Sequence, residues 1–294
     1  MFDPRPRQDL IDRLQETLAA RVRVEESKLY AQLAKLVASL SVDDDGKFRA
    51  TTGNMRTQAR TADVMVRFQS TVQRTLLPWL VRAALRLVGA NAAYFRGVAP
   101  LREKAIRRRA TDRLLLRLGV VDDQIQAGSW LDSLAGASTV KLNVVTRFSS
   151  AVAGGANARA FAEKLADDFT GQQGTGGIVS RFVDQEAGSL FMNVDREVQN
   201  VYRDDLRLEH ALYSGTRMAT TRSFCARRYG LVYTLAEINS WNDLKWDGKI
   251  EGADVKSVAG GYRCRHHLNW MTQVAAEALA DRIGKPINSY RDAA

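Results

Sequence analysis

The chain has 294 residues, of which 45% are hydrophobic and 26% are charged. This balance is typical of a soluble globular protein, and the length allows one large domain or two ordinary ones. No apolar run approaches the roughly 18–20 residues that span a bilayer. The longest candidate, residues 76–88, is interrupted by Pro78, Arg82 and Arg86. We therefore expect no membrane segment. The N-terminal stretch also lacks the apolar core of a secretory signal, which favours a protein kept in a cytosol.

The net charge is strongly basic. Lysine and arginine outnumber aspartate and glutamate by 43 to 33, which gives a net charge of +10. Such a charge favours a polyanionic partner, because clustered cations gain free energy by releasing the counterions condensed on a nucleic acid. A basic surface with no nucleic-acid role is the alternative, since the sequence has no lysine-rich tail, RNP-type aromatic motif or helix-turn-helix signature.

Residues 1–125 are predicted to form an N-terminal helical region. Its clearest signal is an apolar stripe at helical spacing, made of Leu29, Leu33, Leu36, Val37 and Leu40. This stripe needs an apolar partner. A second helical pattern runs through residues 65–76, and Pro78 is expected either to kink that helix or to start the next one.

The segment 101–118 within this region is rich in arginine. The candidate contacts with DNA or with an acidic protein surface are Arg102, Arg107, Arg108, Arg109 and Arg113. Three successive arginines on a helix fan across about 200° and cannot form one flat patch. A solvated helix face is therefore the alternative interpretation of this segment.

Residues 126–207 are predicted to form a central helical region, and residues 208–294 a small α+β domain. Residues 190–206 have the pattern of an amphipathic helix, with Arg196 off its apolar stripe. The loop GQQGTGG at residues 171–177 lacks the Lys-Ser/Thr pair of a phosphate loop and is expected to join two helices. After residue 210, short apolar runs alternate with glycines, which is typical of hairpins and short helices. The predicted fold class is mainly α, with a small C-terminal α+β domain closed by a Cys/His cluster.

The cluster is predicted from Cys225, Cys264 and His266, which include both cysteines of the chain. In an extended segment Cys264 and His266 share one face while His267 points to the other. If the fold brings Cys225 to the same place, the three side chains form a set of ligands that suits zinc. The spacing lacks the two short-range ligand pairs of most structural zinc modules.

Three other interpretations of this cluster remain open. Both cysteines can be buried as small apolar groups, with the histidines hydrogen bonded to loop carbonyls. A disulfide can form once the protein leaves the cell. A catalytic Cys-His pair would also need oxyanion donors and an orienting carboxylate, which the sequence does not reveal.

The C-terminal region resembles the Mu F-like minor head proteins, the head-morphogenesis family of tailed bacteriophages. The resemblance covers residues 190–270 well and is looser from residue 139, whereas the first 138 residues match only in being helical. Arg263 stands where the family commonly has Asn. The matching positions are Tyr213, Gly215, Thr221, Arg222, Phe224, Cys225, Gly230, Val232, Tyr233, Thr234, Glu237, Ile238, Trp241, Gly261, Tyr262, Cys264, Arg265 and His266.

The resemblance implies a virion component made in the host cytoplasm that lies inside the head near the portal vertex. Such a protein assists head assembly, and in some members it contacts packaged DNA or is ejected with it. The implied partners are the portal protein, capsid or scaffold proteins, packaged double-stranded DNA and further copies of the chain. No enzymatic activity and no cofactor are implied, a structural zinc ion apart. We expect the N-terminal helices to pack on portal subunits or on each other and so to bury the leucine stripe.

Two functions from other classes remain as alternatives. A head-to-tail adaptor would bind the outside of the portal, and sequence does not separate it from an internal protein. A metal-dependent DNA-processing enzyme would use His266 or His267, but few carboxylates lie near these histidines in the sequence.

Overall fold

The computed structural model describes residues 5–97, 102–122, 124–129, 131–132, 138–171, 177–181 and 190–290. These residues are mainly helical, and a small antiparallel sheet lies near the C-terminus, so the predicted fold class is confirmed. The longer helices are α1 (Arg5–Ala38), α2 (Thr52–Thr71), α3 (Leu77–Phe95), α4 (Glu103–Leu118), α5 (Ser138–Ala153), α6 (Ala158–Thr170) and α7 (Leu190–Leu206). The C-terminal helices are α8 (Ser223–Arg228), α9 (Leu235–Ser240), α10 (Val255–Val258) and α11 (Gln273–Ile283). The strands are β1 (Val120–Val121), β2 (Gln124–Ile125), β3 (His210–Gly215), β4 (Val232–Thr234) and β5 (His266–Met271).

The chain divides into two compact units that are each assembled from separate segments. The first unit comprises Met1–Gln15, Arg82–Arg117 and Ala187–Ala294, and the second comprises Glu16–Val81 and Leu118–Glu186. These units do not follow the predicted boundaries at residues 125/126 and 207/208. Periodicity and turn signals mark where an element ends, but they do not show which distant element it packs against.

The leucine stripe of α1 lies in the second unit. Leu29, Leu33, Val37 and Leu40 are all buried within the chain, and Leu36 is partly exposed. This burial is consistent with N-terminal helices that pack on each other, the second of the two expected arrangements. The apolar surface of the stripe is already removed from water by the protein's own core, which is the main source of helix stability in a globular protein.

A buried carboxylate also organises the second unit. Glu26 is 2% exposed, and its carboxylate accepts hydrogen bonds from the Val179 amide at 2.7 Å and from the Ser180 amide at 3.2 Å. Gly177 precedes these amides, and a Cβ there would lie 2.3 Å from Glu26 Oε1. Most of the glycine-rich loop predicted at residues 171–177 lies outside the described residues.

Pro78 lies close to the junction of α2 and α3. A π-helical turn at Val72–Leu76 joins the two helices, and Pro78 lies in the first turn of α3. Proline is tolerated in a first turn because the missing N–H would have no intrahelical partner there.

Among the described residues, every helix is too short or too polar to cross a bilayer.

The C-terminal sheet lies in the first unit and has the order β4-β3-β5, with both pairs antiparallel. Every residue of β5 is buried, and helix α7 packs against this strand. The register pairs Gly215 with His266 and Ser214 with His267. Because successive side chains of a strand point to opposite faces, the two histidines face different surroundings.

A polar network that is wholly buried lies on the His267 side of β5. Arg7 Nε lies 2.8 Å from Asp195 Oδ1, and the Asn91 amide donates to the same oxygen at 2.9 Å. Arg7 also donates to Asn269 Oδ1, and His267 Nδ1 lies 3.3 Å from Asp195 Oδ2. These five residues, which we call the polar network, are at most 3% exposed. Burial holds the pKa of His267 well below its usual value, so Arg7 is the cation that balances Asp195.

Removing one partner of the Arg7–Asp195 pair is expected to lower the free energy of unfolding by about 3–5 kcal/mol, because the other charge stays buried without compensation. Arg7→Met and Asp195→Leu should each show this loss in urea unfolding. The double variant should lose less than the sum of the two, since it leaves neither charge in the core.

The matched control is Arg108→Met, because the Arg108 side chain is 86% exposed and its nearest carboxylate oxygen, on Asp112, is 4.0 Å away. Its urea midpoint should equal that of the unchanged protein. Equal midpoints for Arg7→Met and Arg108→Met would contradict the role given to the buried pair.

Candidate metal centre

Cys225, Cys264 and His266 converge in the first unit, as the sequence predicted. Cys225 lies on α8, Cys264 precedes β5, and His266 is the first residue of that strand. All three side chains are buried, both cysteines are free thiols, and their potential ligand atoms lie within 4.8 Å of one another. We call these three residues the Cys/His cluster.

The distances within the cluster are short. Cys225 Sγ lies 3.7 Å from Cys264 Sγ, and Cys264 Sγ lies 3.5 Å from His266 Nδ1. The other ring nitrogen of His266 is buried and makes no hydrogen bond within the described part of the chain. The alternation of β5 explains the arrangement, because it turns His266 towards the sulfur atoms and His267 towards the polar network.

Hydrogen bonds distinguish the two sulfur atoms. The amides of Gly260 and His266 donate to Cys264 Sγ at 3.2 and 3.4 Å, whereas Cys225 Sγ accepts from the Tyr213 hydroxyl at 3.2 Å. The contact with Cys225 lowers the pKa of Cys264 well below its usual value. The same contact, with burial, raises the pKa of Cys225. Of the two sulfur atoms, Cys264 Sγ is therefore the one whose surroundings favour negative charge more strongly.

Arg196 of α7 holds the segment that carries these ligands. It is 3% exposed, and its guanidinium donates to the backbone carbonyls of His266, at 2.9 Å, and of Cys264. Its charge also contributes to the lowered pKa of Cys264. Sequence analysis missed this role, because an arginine off the apolar stripe of an amphipathic helix normally faces water.

Aromatic rings enclose the cluster. Tyr213 stacks on His266 with ring centroids 5.5 Å apart, and Phe224 stacks on Trp246 at 3.9 Å. Trp246 also donates from its indole nitrogen to the carbonyl of Gly260 at 2.9 Å, and Trp241 is fully buried beside Tyr213 and Phe224. Trp241 and Trp246 therefore supply apolar surface to this small core.

The turn before Cys264 is shaped by close approach and by unusual backbone angles. A Cβ on Gly260 would lie 2.1 Å from Cys225 Sγ, and one on Gly261 would lie 2.0 Å from the Gly248 carbonyl oxygen. Arg263 has a φ of 54°, in the left-handed region that Asn adopts more readily than Arg.

A cavity of about 210 Å³ adjoins the Cys/His cluster. Its described lining is polar and basic, and no carboxylate belongs to it. The lining residues besides the cluster are Thr216, Met218, Thr220, Thr221, Arg222, Arg263 and Arg265.

The arginines predicted to contact DNA lie on α4 or just before it, and none belongs to the cluster or its cavity. Arg109 pairs with Asp205 at 2.8 Å, and Arg113 pairs with Glu197 at 3.2 Å, so these two bind acidic residues of α7. Arg102, Arg107 and Arg108 are exposed as well.

Gly260→Ala is expected to lower the free energy of unfolding by about 1–3 kcal/mol, because the new methyl group would overlap Cys225 Sγ and force the turn to move. Thermal or urea unfolding measures the change. The control is Gly97→Ala, where a Cβ would meet nothing within 4 Å. A Gly260→Ala protein as stable as the control would show that the turn is not packed against the sulfur atoms.

No family model, no curated protein and no solved structure matches this chain. Its chemistry is therefore interpreted from the site itself. Two cysteine sulfur atoms and an imidazole at these distances can hold a soft metal ion, or they can stabilise the turn by packing and hydrogen bonding alone.

Proposed function

We propose that this protein is a structural minor head protein of a tailed phage, located inside the capsid near the portal, where it assists head assembly. One observation carries the proposal. Several of the residues that give the Mu F-like resemblance pack together around the Cys/His cluster, among them Tyr213, Phe224, Trp241 and His266. A motif whose members form one core specifies an architecture, and this supports a structural role.

The packing of the motif is direct. Tyr213 contacts Phe224 at 6.3 Å, Trp241 at 5.9 Å and His266 at 5.5 Å between ring centroids, and Phe224 contacts Trp241 at 5.7 Å. Such edge-to-face and offset pairs add to the stability gained from burying the rings. The motif therefore has a physical reason to occur as a set, because each ring depends on the others for its contacts.

The charge of the chain suits the proposed location. A net charge of +10 favours double-stranded DNA as a neighbour, and packaged DNA is the dominant polyanion inside a filled head. The exposed arginines of the basic segment, Arg102, Arg107 and Arg108, are the proposed DNA contacts. Arg109 and Arg113 are proposed to bind DNA or the portal more weakly, because each already pairs with a carboxylate.

The proposed location predicts that the protein is present at low copy number in purified particles and is resistant to added protease while the heads are intact. Opening the heads should make it cleavable, as judged by immunoblotting. A portal-bound adaptor would instead be cleaved in intact particles that lack tails. Absence from particles would overturn the structural role altogether.

A matched pair of variants tests whether the motif core is what the particle requires. In a phage that lacks the gene, Phe224→Ala supplied in trans is expected to reduce the yield of filled heads, because it removes the ring packed between Trp241 and Trp246. The neighbouring Ser223→Ala changes an exposed side chain and should restore normal yield. Equal yields of filled heads from both variants would show that head assembly does not depend on the motif core.

The DNA contact is tested by two triple variants that remove the same charge. Changing the arginines of the exposed basic face to glutamine should weaken binding to a short DNA duplex. The slope of log binding constant against log salt concentration should become less steep by about 0.9 for each lost phosphate contact. Fluorescence anisotropy at several salt concentrations measures both. The test variant combines Arg102→Gln, Arg107→Gln and Arg108→Gln. The control combines three exposed arginines of α2, changed as Arg56→Gln, Arg60→Gln and Arg67→Gln. Equal losses of DNA affinity in the two triple variants would show that binding depends on net charge and not on this face.

A further inference from the structure

We propose that Cys225, Cys264 and His266 bind one zinc ion through three protein ligands and leave its fourth coordination position to a small ligand from the adjoining cavity. The ligand is water or a small inorganic anion. This inference does not depend on the role in a phage head, and either can fail without the other.

The separations of the donor atoms fit a tetrahedral zinc site. With Zn–S bonds of about 2.3 Å and Zn–N bonds of about 2.0–2.1 Å, a tetrahedron places two sulfur ligands about 3.8 Å apart and a sulfur and a nitrogen about 3.6 Å apart. The observed separations are 3.7 Å between the two Sγ atoms and 3.5 Å between Cys264 Sγ and His266 Nδ1. Two edges of the ligand triangle therefore already have the length that zinc requires.

The surroundings of the donor atoms favour a cation among them. Two backbone amides point at Cys264 Sγ and the Tyr213 hydroxyl points at Cys225 Sγ, so each sulfur atom has donors that stabilise negative charge. Zinc binds cysteine as the thiolate, so both sulfur atoms coordinate without a proton, and any thiol proton is released to solvent. The two thiolates then balance the charge of Zn²⁺, and His266 coordinates through Nδ1 while Nε2 carries its proton.

The His266 ring is a third donor that is buried with the sulfur atoms. The side chain is 3% exposed, Nδ1 faces Cys264 Sγ at 3.5 Å, and Nε2 makes no hydrogen bond within the described residues. A sulfur atom is a weak hydrogen-bond partner for a buried imidazole nitrogen. Zinc at Nδ1 would give that nitrogen a stronger partner, and Nε2 would keep its present surroundings.

The fourth position is open because the group contains three ligands and not four. Within the described chain, no further Cys, His, Asp or Glu joins the group, and the other two histidines, His210 and His267, lie outside it. The cavity that adjoins both sulfur atoms and His266 is lined by threonines and by Arg222, Arg263 and Arg265. Hydroxyl groups can orient a water molecule there, and the basic side chains favour an anion over a cation.

The first experiment measures metal in the full-length chain. Reduced protein freed of metal with a chelator and then dialysed against Zn²⁺ should hold one equivalent by elemental analysis. Cys225→Ser and His266→Asn should lose the zinc, whereas His210→Asn, the matched control, should keep it. Circular dichroism of each variant shows whether a loss of zinc accompanies a loss of fold.

The second experiment uses the unaltered sequence and therefore does not depend on any variant folding. Co²⁺ in place of Zn²⁺ should give sulfur-to-cobalt charge-transfer absorption and the intense visible bands of a four-coordinate site. Added azide should shift the visible bands, because it replaces the ligand at the open position. A spectrum that azide leaves unchanged would overturn the open position.

Two further outcomes would overturn the metal site. Reduced protein that binds less than a tenth of an equivalent of zinc, with both thiols still titratable, would overturn the metal site and leave packing as the function of the cluster. A second outcome would also overturn the metal site. In it, air-exposed protein forms a Cys225–Cys264 disulfide and still binds no zinc after that disulfide is reduced.

Discussion

The pairing of β3 with β5 is the constraint on which the C-terminal part of the protein depends. It fixes His266 opposite Gly215 and His267 opposite Ser214. A slip of one residue would exchange the two histidines between the sulfur atoms and the polar network, because side chains alternate between the faces of a strand. Glycine at position 215 allows β3 and β5 to lie close together there, since a Cβ at that position would lie 2.2 Å from the Arg265 carbonyl oxygen.

The two faces of β5 hold different chemistry for this reason. One face presents an imidazole to two cysteine sulfur atoms, beside a basic cavity. The other presents a neutral imidazole to a carboxylate that an arginine balances. Arg196 connects the strand to α7 through the carbonyls of Cys264 and His266. The candidate site is therefore held by hydrogen bonds to backbone as well as by aromatic packing, which makes it rigid before any ligand binds.

Sequence patterns predicted much of this arrangement because they report local geometry. Periodicity located most of the helices, and strand alternation placed Cys264 and His266 on one face with His267 on the other. Whether Cys225 joins them could not be decided from the sequence, because spacing does not show which segments meet. The same limit applies elsewhere. Nothing in the pattern of α1 shows which elements cover its leucine stripe, and nothing local distinguishes the buried Arg7 and Arg196 from exposed arginines.

The make-up of the first unit has a consequence for how the protein reaches its native state. Arg7 leaves the ribosome early, but the residues that surround its side chain, Asp195 and Asn269, are synthesised much later. A chain still under synthesis therefore carries an unmatched cation at a position destined for the interior, and the first unit closes only after β5 has emerged. Contacts this distant in sequence slow folding, and they give a chaperone or an assembling partner time to engage the incomplete chain.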